Sequence, residues 1–212
     1  MPKKGAKVVC LIKIQNLEKS FGGRRIINNI SYNFYGGHVY GIVGKNGAGK
    51  SVLLKLLLKA ASPDKGSVIY GDIENRKPVV SCVIDGCDLY MNLSGLDNLV
   101  YLSGFRKRTD LQNIKRCMRE VGLDPDNKNK IKKYSLGMRK RLLIAQAVME
   151  NPDILIFDEP ANSLDSEGVD ILRRIIKESR EKGKLIIMAS HYKDDIEDVC
   201  DTVLEMKGGV LC

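Results

Sequence analysis

The sequence predicts an α/β fold: a mainly parallel sheet with antiparallel strands at the N-terminus and an inserted α-helical subdomain. Strand and helix patterns alternate at both ends of the chain, as expected for parallel strands joined by helices. Between them, residues 94 to 125 and the segment SLGMRKRLLIAQAVMEN carry only helix patterns. We therefore expect one domain, with a core at about 1–84 and 151–212 and a helical subdomain at about 85–150.

The individual elements follow from local patterns. VVCLIKI, RIINNISYNF and VYGIV are rich in β-branched and aromatic residues, and they predict three strands separated by glycine turns. KSVLLKLLLKAA has unbranched leucines and no helix breaker, so it predicts a buried helix that ends at SPDKG. Towards the C-terminus, ILIFD, LIIMAS and TVLEM predict further strands around the helix SEGVDILRRIIKESREKG.

Composition limits the class of protein. The net charge of +9 favours anionic partners, such as nucleotide phosphates, a membrane surface or nucleic acid. Nucleic acid is not expected as a partner, because no pattern of interleaved aromatic and basic residues accompanies the charge. The apolar runs are shorter than a membrane span and the N-terminus does not resemble a signal peptide. The six scattered cysteines form no metal-binding pattern, so we expect a cytoplasmic protein with reduced thiols.

A glycine-rich loop follows the strand VYGIV and opens the next helix. The sequence GKNGAGKS fits the phosphate-binding pattern G-x-x-x-x-G-K-[ST] in full. Glycines allow backbone N–H groups to face inward around phosphate oxygens, while Lys50 can reach the terminal phosphates and the Ser51 hydroxyl can bind Mg²⁺. The alternative is a purely structural turn, which the position between a strand and a helix argues against.

Two carboxylates follow the buried strand in ILIFDEP. Asp158 is placed to hold Mg²⁺ and Glu159 to polarise an attacking water. Acidic residues after a strand can also be simple helix caps. The functional interpretation of this motif therefore depends on the presence of the phosphate loop. The two motifs together predict a nucleoside triphosphatase.

A second anion-binding candidate is YSLGMRKRL, in which Ser135 and Gly137 open a helix. Arg139 to Arg141 are interpreted as a positive collar on its first turn. The preferred base is less clear from the residues alone. The guanine motif N-K-x-D is absent, since NKNK lacks the aspartate, and Phe21 is either a purine-stacking ring or an ordinary core residue.

The order of GKNGAGKS, YSLGM, ILIFDEP, NSLD and Ser190-His191 resembles the nucleotide-binding domain of an ATP-binding cassette (ABC) transporter, a RecA-like P-loop NTPase. The resemblance covers Phe21 to Gly208 and is greatest to single-cassette bacterial exporters. It implies ATP and Mg²⁺ as cofactors, Leu164-Asp165 as the D-loop, and catalytic roles for Glu159 and His191. It assigns ATP binding to Phe21, Gly44, Lys45, Asn46, Gly47, Ala48, Gly49, Lys50, Ser51, Val52, Ser135, Gly137 and Met138, and Mg²⁺ binding to Ser51, Asp85 and Asp158.

The chain departs from the family pattern at two places. The family signature Leu-Ser-Gly-Gly-Gln is replaced by YSLGM, which keeps Ser135 and Gly137. Where the family places a Mg²⁺-sensing glutamine, this chain has Asp85, one methylene shorter, with Asp88 as an alternative. The second departure leaves open how hydrolysis is coupled to transport.

The resemblance also implies partners. A second copy, or a homologous cassette, would pair head to tail across ATP, and separate transmembrane permease subunits would dock near residues 85 to 105. The protein would then lie on the inner face of the cell membrane and power transport, with export favoured. Two rivals remain open: a soluble ABC ATPase that acts on nucleic acid or ribosomes, and a P-loop small-molecule kinase. The kinase alternative leaves YSLGM and NSLD without a role.

Overall fold

The strands form two sheets in the computed structural model, which describes residues 9–84, 88–192 and 194–212. The antiparallel sheet has the order β2-β1-β4 and the larger sheet has the order β5-β6-β7-β3-β8-β9, with only the β8–β9 pair antiparallel. The predicted α/β class is confirmed. The strands are β1 (Cys10–Phe21), β2 (Arg24–Tyr35), β3 (Val39–Val43), β4 (Lys65–Tyr70), β5 (Val80–Val83), β6 (Ile154–Asp158), β7 (Leu185–Ser190), β8 (Thr202–Lys207) and β9 (Val210–Leu211).

The helices connect the parallel strands. Three of them, α2 to α4, follow one another between β5 and β6, as the pattern in the middle of the sequence indicates. No helix in the described residues is both long and apolar enough to cross a membrane. The helices are α1 (Lys50–Leu57), α2 (Gly95–Arg106), α3 (Leu111–Glu120), α4 (Leu136–Val148), α5 (Ser166–Glu181) and α6 (Asp194–Glu197), with a 3-10 turn at Ile131–Lys133.

The central strands are buried on both faces. In β6, Ile154 and Ile156 belong to the apolar core shared with the antiparallel sheet and α1, whereas Leu155 and Phe157 belong to the core shared with α3, α4 and α5. Successive side chains of a strand point to opposite faces, so a strand between two cores must be apolar throughout. The uninterrupted apolar runs of the sequence therefore correspond to the middle of the parallel sheet.

Two features of the antiparallel sheet were not predicted. β4 lies in KGSVIY, which begins with a lysine and a glycine and is only partly buried, because it is an edge strand that pairs with β1 alone. β1 continues to Phe21, well beyond the apolar run of VVCLIKI, through several register shifts in its pairing with β2. Backbone pairing, rather than side-chain pattern, forms the strand in both cases.

Asp153 joins the beginnings of three strands. Its carboxylate accepts hydrogen bonds from Arg76 Nη1 (2.6 Å) and Nη2 (2.8 Å) and from the backbone N–H of Val79 (2.7 Å). Its backbone N–H donates to the Val79 carbonyl at 2.9 Å, and its carbonyl accepts from Leu185 N–H at 3.0 Å. Burial acts to raise the pKa of Asp153, but the hydrogen bonds from Arg76 and Val79 outweigh it and lower the pKa below 3.8.

Replacing Asp153 with Asn is expected to lower the free energy of unfolding by about 1–3 kcal/mol at pH 7, because charge-assisted hydrogen bonds to Arg76 and Val79 are lost. The folded-state pKa is lowered, so this stabilisation is complete above the unfolded pKa of 3.8 and is lost as the pH falls through the folded value. Urea unfolding across this pH range measures the difference. The exposed Asp72, paired with Lys77, is the control, and Asp72→Asn should change stability by less than about 0.5 kcal/mol.

Candidate functional site

The glycine-rich loop between β3 and α1 depends on its glycines. Gly47 and Gly49 have φ angles of 79° and 107°, a region that other residues rarely adopt. At Gly44, a Cβ atom would lie only 2.5 Å from the carbonyl oxygen of Met206. Lys45 and Asn46 are exposed at the tip of the loop, while Ala48 and Val52 pack against the core beneath it.

Lys50 lies across this loop instead of extending into solvent. Its side chain is only 6% exposed, and Nζ donates a hydrogen bond of 2.6 Å to the carbonyl oxygen of Gly44 and a longer one of 3.5 Å to that of Lys45. The ammonium group is therefore held at the concave side of the loop, where the sequence pattern predicts phosphate.

The carboxylate of Glu159 lies between Lys50 and His191. Its Oε1 is 3.9 Å from Lys50 Nζ, and its Oε2 is 2.9 Å from His191 Nδ1 and 3.4 Å from the hydroxyl of Ser190, which donates to it. Glu159 has a φ of 47°, and its backbone N–H donates to the Ala189 carbonyl. Three of the predicted site residues, from the loop, the end of β6 and the end of β7, are thus in one cluster.

The predicted Mg²⁺ ligands lie beside this cluster. Asp158 is the last residue of β6 and is 6% exposed, and Ser51 is in the first turn of α1, which packs against β6 and β7. A carboxylate and a hydroxyl supply the oxygen donors that Mg²⁺ prefers, so these two residues fit the ion. The third predicted ligand, Asp85, lies outside the described residues.

The segment YSLGM is at the start of α4. Ser135 is the N-cap, and its Oγ accepts a hydrogen bond of 3.2 Å from the backbone N–H of Met138. A Cβ on Gly137 would lie 3.0 Å from the Ser163 carbonyl oxygen, so this helix start sits against the loop before α5. Within the described ranges, no hydrogen bond or ion pair joins Ser135, Gly137 or Met138 to Lys50, Glu159 or His191.

The starts of α1 and α4 share an electrostatic property. Neither helix has a carboxylate at its N-cap or in its first turn, and Gly49 provides no side-chain cap at all. The other helices of eight or more residues in the described chain each have one, namely Asp97 in α2, Asp110 before α3, and Asp165 with Glu167 at α5. Helix N-termini carry a partial positive charge. At α1 and α4 no neighbouring acidic side chain of the same helix offsets it.

Arg141 corrects the interpretation of Arg139 to Arg141 as a positive collar. Its side chain is buried, and Nη2 donates to Asp165 Oδ1 at 2.5 Å and to Glu167 Oε2 at 3.0 Å. The hydrogen bond from Arg141 lowers the pKa of Asp165. Arg139 is also directed to the protein, with bonds to the carbonyl oxygens of Ile131 and Lys132. Arg141 therefore links α4 to the start of α5, a role that only its spatial position reveals.

Phe21 ends β1 and is exposed, with Lys19 Nζ 5.3 Å from the ring centre. It is not a core residue. The hairpin of β1 and β2 lies beside the glycine-rich loop, since a Cβ on Gly49 would be 3.0 Å from the Ile26 carbonyl oxygen. Phe21 is thus exposed on the hairpin that borders the glycine-rich loop.

Sequence comparison identifies relatives along nearly the whole chain. The ABC transporter family matches residues 27–162. The chain is 38% identical over 207 residues to the uncharacterised ABC transporter ATP-binding protein YybJ of Bacillus subtilis, covering 95% of this chain and 94% of that protein. It is 37% identical over 196 residues to the lantibiotic transport ATP-binding protein SrtF of Streptococcus pyogenes, covering 91% and 85%. With the bacitracin transport protein BcrA of Enterococcus faecalis, identity is 35% over 95% of this chain and 68% of that protein.

Solved structures agree with the fold. An ATP-binding subunit of an ABC transporter superposes with a TM-score of 0.84 at 21% identity, over 95% of this chain and 88% of the other. A dimeric bacterial ABC transporter cassette superposes with a TM-score of 0.81 at 23% identity, over 95% and 96%. The fold is that of a P-loop NTPase, and the match over residues 27–162, together with the full-length relatives, establishes that the chain belongs to the ABC transporter family.

Proposed function

We propose that this chain is the ATP-hydrolysing subunit of an ABC transporter and that it powers transport through separate membrane subunits. The observation that carries the proposal is the position of Glu159, whose carboxylate lies 3.9 Å from Lys50 Nζ and 2.9 Å from His191 Nδ1. A carboxylate, an ammonium group and an imidazole are thus close together beside the glycine-rich loop, which supports a role for the carboxylate as the base. A general base and positive charge beside the terminal phosphate are functions that phosphate hydrolysis uses, and the imidazole adds a further hydrogen-bonding group next to them.

The loop residues bind the phosphates of ATP. The backbone N–H groups from Gly44 to Ser51 surround the phosphate oxygens, and Lys50 transfers its hydrogen bonds from the loop carbonyls to the terminal phosphates. Phe21, exposed at the end of β1, stacks on the adenine. Ser51 and Asp158 would hold Mg²⁺, which would supply positive charge beside the phosphates.

Glu159 and His191 act on the bond that is cleaved. Glu159 orients and polarises the attacking water as a general base, and His191 contacts the γ-phosphate. The Glu159 carboxylate contacts Lys50 and His191. Both of these residues are proposed to bind the phosphates of ATP. Phosphate binding would draw these two residues away and leave the carboxylate available to water.

A second cassette completes each site. Among the described residues, no hydrogen bond or ion pair joins the YSLGM segment to Lys50. The N-terminus of α4, with no acidic residue in its first turn, suits the γ-phosphate of an ATP bound by a partner. Two copies, or this chain and a homologous cassette, therefore pair head to tail with ATP between them. Loss of the γ-phosphate removes the contacts that hold the pair, and the dimer opens.

The transport role rests on the named relatives. SrtF and BcrA are named for lantibiotic and bacitracin transport, and export of a peptide antibiotic is the corresponding proposal for this chain. The helical subdomain, at about 85–150, docks on transmembrane permease subunits, and the protein acts at the inner face of the cell membrane. The alternative, an ABC ATPase that acts on nucleic acid or ribosomes, would show itself by salt-sensitive nucleic-acid binding.

Glu159→Gln is expected to reduce ATP turnover by about 10²–10⁴-fold, because the amide cannot act as the base. ATP binding should persist, and a stable ATP-dependent dimer should be visible by gel filtration. Glu178→Gln, an exposed change on α5, is the control and should leave turnover unchanged. Undiminished turnover in Glu159→Gln, or a strict monomer with ATP, would contradict the proposal.

Lys50→Ala is expected to weaken ATP binding roughly 10–150-fold, since it removes a charge-assisted hydrogen bond worth about 1.5–3 kcal/mol. Calorimetric titration with ATP measures the affinity. Lys55→Ala removes an exposed lysine from the same helix and should bind ATP normally. Retained tight binding in Lys50→Ala would show that this loop does not hold the phosphates.

Ser135→Asp tests the composite site. Aspartate keeps the N-cap of α4 but places a negative charge where the partner's γ-phosphate would lie, so turnover should fall at least tenfold with normal thermal stability. Ser135→Asn, a neutral cap, should lose less. Mixing Ser135→Asp with Lys50→Ala should raise turnover above that of either variant, because a head-to-tail heterodimer contains one intact site. A mixture no more active than its components would refute the head-to-tail arrangement.

A further inference from the structure

Ser190 is a buried polar residue at the end of an otherwise apolar strand. It is the last residue of β7, in which the residues before it read LIIMA, and it is 1% exposed. A buried hydroxyl costs free energy unless hydrogen bonds compensate for its removal from water. The proposed hydrolysis uses Glu159 and His191 beside it but gives Ser190 itself no role.

The Ser190 hydroxyl connects two parts of the candidate site. It donates to Glu159 Oε2 at 3.4 Å and accepts a hydrogen bond of 3.2 Å from the backbone N–H of Tyr192. The second bond spans His191, whose Nδ1 lies 2.9 Å from the same Oε2 atom of Glu159. One hydroxyl therefore links the Glu159 carboxylate to the backbone on both sides of His191.

The backbone of Glu159 is held at the same end of β7. Its N–H donates to the Ala189 carbonyl at 2.9 Å, and Asp158 and Ala189 are paired in register between β6 and β7. The φ of Glu159 is 47°, a conformation that a residue other than glycine keeps only when its surroundings hold it. The end of β7 thus fixes the main chain of Glu159, and Ser190 extends this connection to the carboxylate.

Ser190 differs from the other side chains that contact this carboxylate. Within the described part of the chain, these are Lys50, His191 and Ser190. Lys50 and His191 are proposed to turn to the phosphates when ATP binds. Ser190 is buried at the end of a central strand, in register with Val43 of β3, and has no phosphate to bind. Its hydroxyl can therefore stay with the carboxylate when the other two contacts are given up.

We propose that Ser190 is a positioning residue for hydrolysis, whose hydroxyl orients the Glu159 carboxylate towards the attacking water and holds the backbone turn that carries His191. The inference rests on the proposed function, in which Glu159 is the base. A buried donor that is fixed in advance orients a carboxylate without reorganisation during the reaction. The alternative is a hydroxyl that only satisfies the backbone N–H of Tyr192 at the end of the strand.

The kinetics of Ser190→Ala test the proposal. We expect kcat to fall about tenfold, while ATP affinity in a calorimetric titration stays within about twofold of the wild type, because ATP binding does not use this hydroxyl. Ser190→Thr keeps a hydroxyl and suits a strand, so it should recover most of the turnover. Ser179→Ala removes a buried serine hydroxyl from α5 and should leave turnover unchanged. Normal kcat in Ser190→Ala, or Ser190→Thr as slow as Ser190→Ala, would overturn the proposal.

A double-mutant cycle separates positioning of Glu159 from a general structural role. Single-turnover hydrolysis by Glu159→Gln measures the activity that remains without the base. Adding Ser190→Ala to this variant should cause no further loss, because the hydroxyl acts through the carboxylate that is already absent. A further loss of about tenfold would show that Ser190 acts independently of Glu159, and the proposal would be wrong.

The crystal structure of Ser190→Ala without nucleotide gives a readout that does not depend on hydrolysis. We expect the Glu159 carboxylate and His191 Nδ1 to move apart in this variant and to be in contact again in Ser190→Thr. An unchanged contact in Ser190→Ala would refute the positioning role whether or not the chain hydrolyses ATP. Normal turnover in Glu159→Gln, together with the expected change in the crystals, would count against the proposed function and still support the positioning of Glu159 by Ser190.

Discussion

The parallel order of β6, β7 and β3 is the constraint on which the candidate site depends. Parallel neighbouring strands end at the same edge of a sheet, so the residues that follow them must meet there. Glu159 follows β6, His191 follows β7, and the loop that leads to Lys50 follows β3. Lys50 and His191 are more than a hundred residues apart in sequence. Both consequently lie within 2.9 to 3.9 Å of the Glu159 carboxylate. The burial of these strands on both faces holds the edge in place.

Arg141 extends this organisation from the sheet to the helices. Its guanidinium bonds Asp165 and Glu167, and it leaves so little room that a Cβ on Gly122 would lie 2.6 Å from Nη1 and one on Gly168 3.2 Å from Nε. A charged group buried in this way costs stability when one partner is removed, because the other charge is left uncompensated. The start of α4, with Ser135, is thereby fixed relative to the start of α5, with Asp165.

Sequence reasoning succeeded where consecutive residues determine the local structure. GKNGAGKS and ILIFDEP specify a backbone conformation and a buried strand locally, and the structure brings Lys50 and Glu159 together accordingly. It failed where backbone pairing or side-chain packing between distant segments determines the structure. The segment of β4 is a strand because its backbone pairs with β1. From the sequence alone Arg141 is indistinguishable from a surface cation, and only the structure shows its ion pair with Asp165. The ATP and Mg²⁺ roles of the site residues stay predictions, and Asp85 lies outside the described residues.

The helix termini offer a physical reason for the two anion-binding elements that the sequence predicts. Three helices have acidic residues at the N-cap or in the first turn that offset the helix dipole. These are Asp97 in α2, Asp110 before α3, and Asp165 with Glu167 at α5. α1 and α4 have no such group at their N-caps or in their first turns, so their own side chains do not offset the partial positive charge at their starts. Lys50 reinforces the first, and the second carries only Ser135 as a neutral cap. The proposed head-to-tail pairing would bring the phosphate of a neighbour's ATP to the start of α4, so the electrostatics of this helix terminus support that proposal.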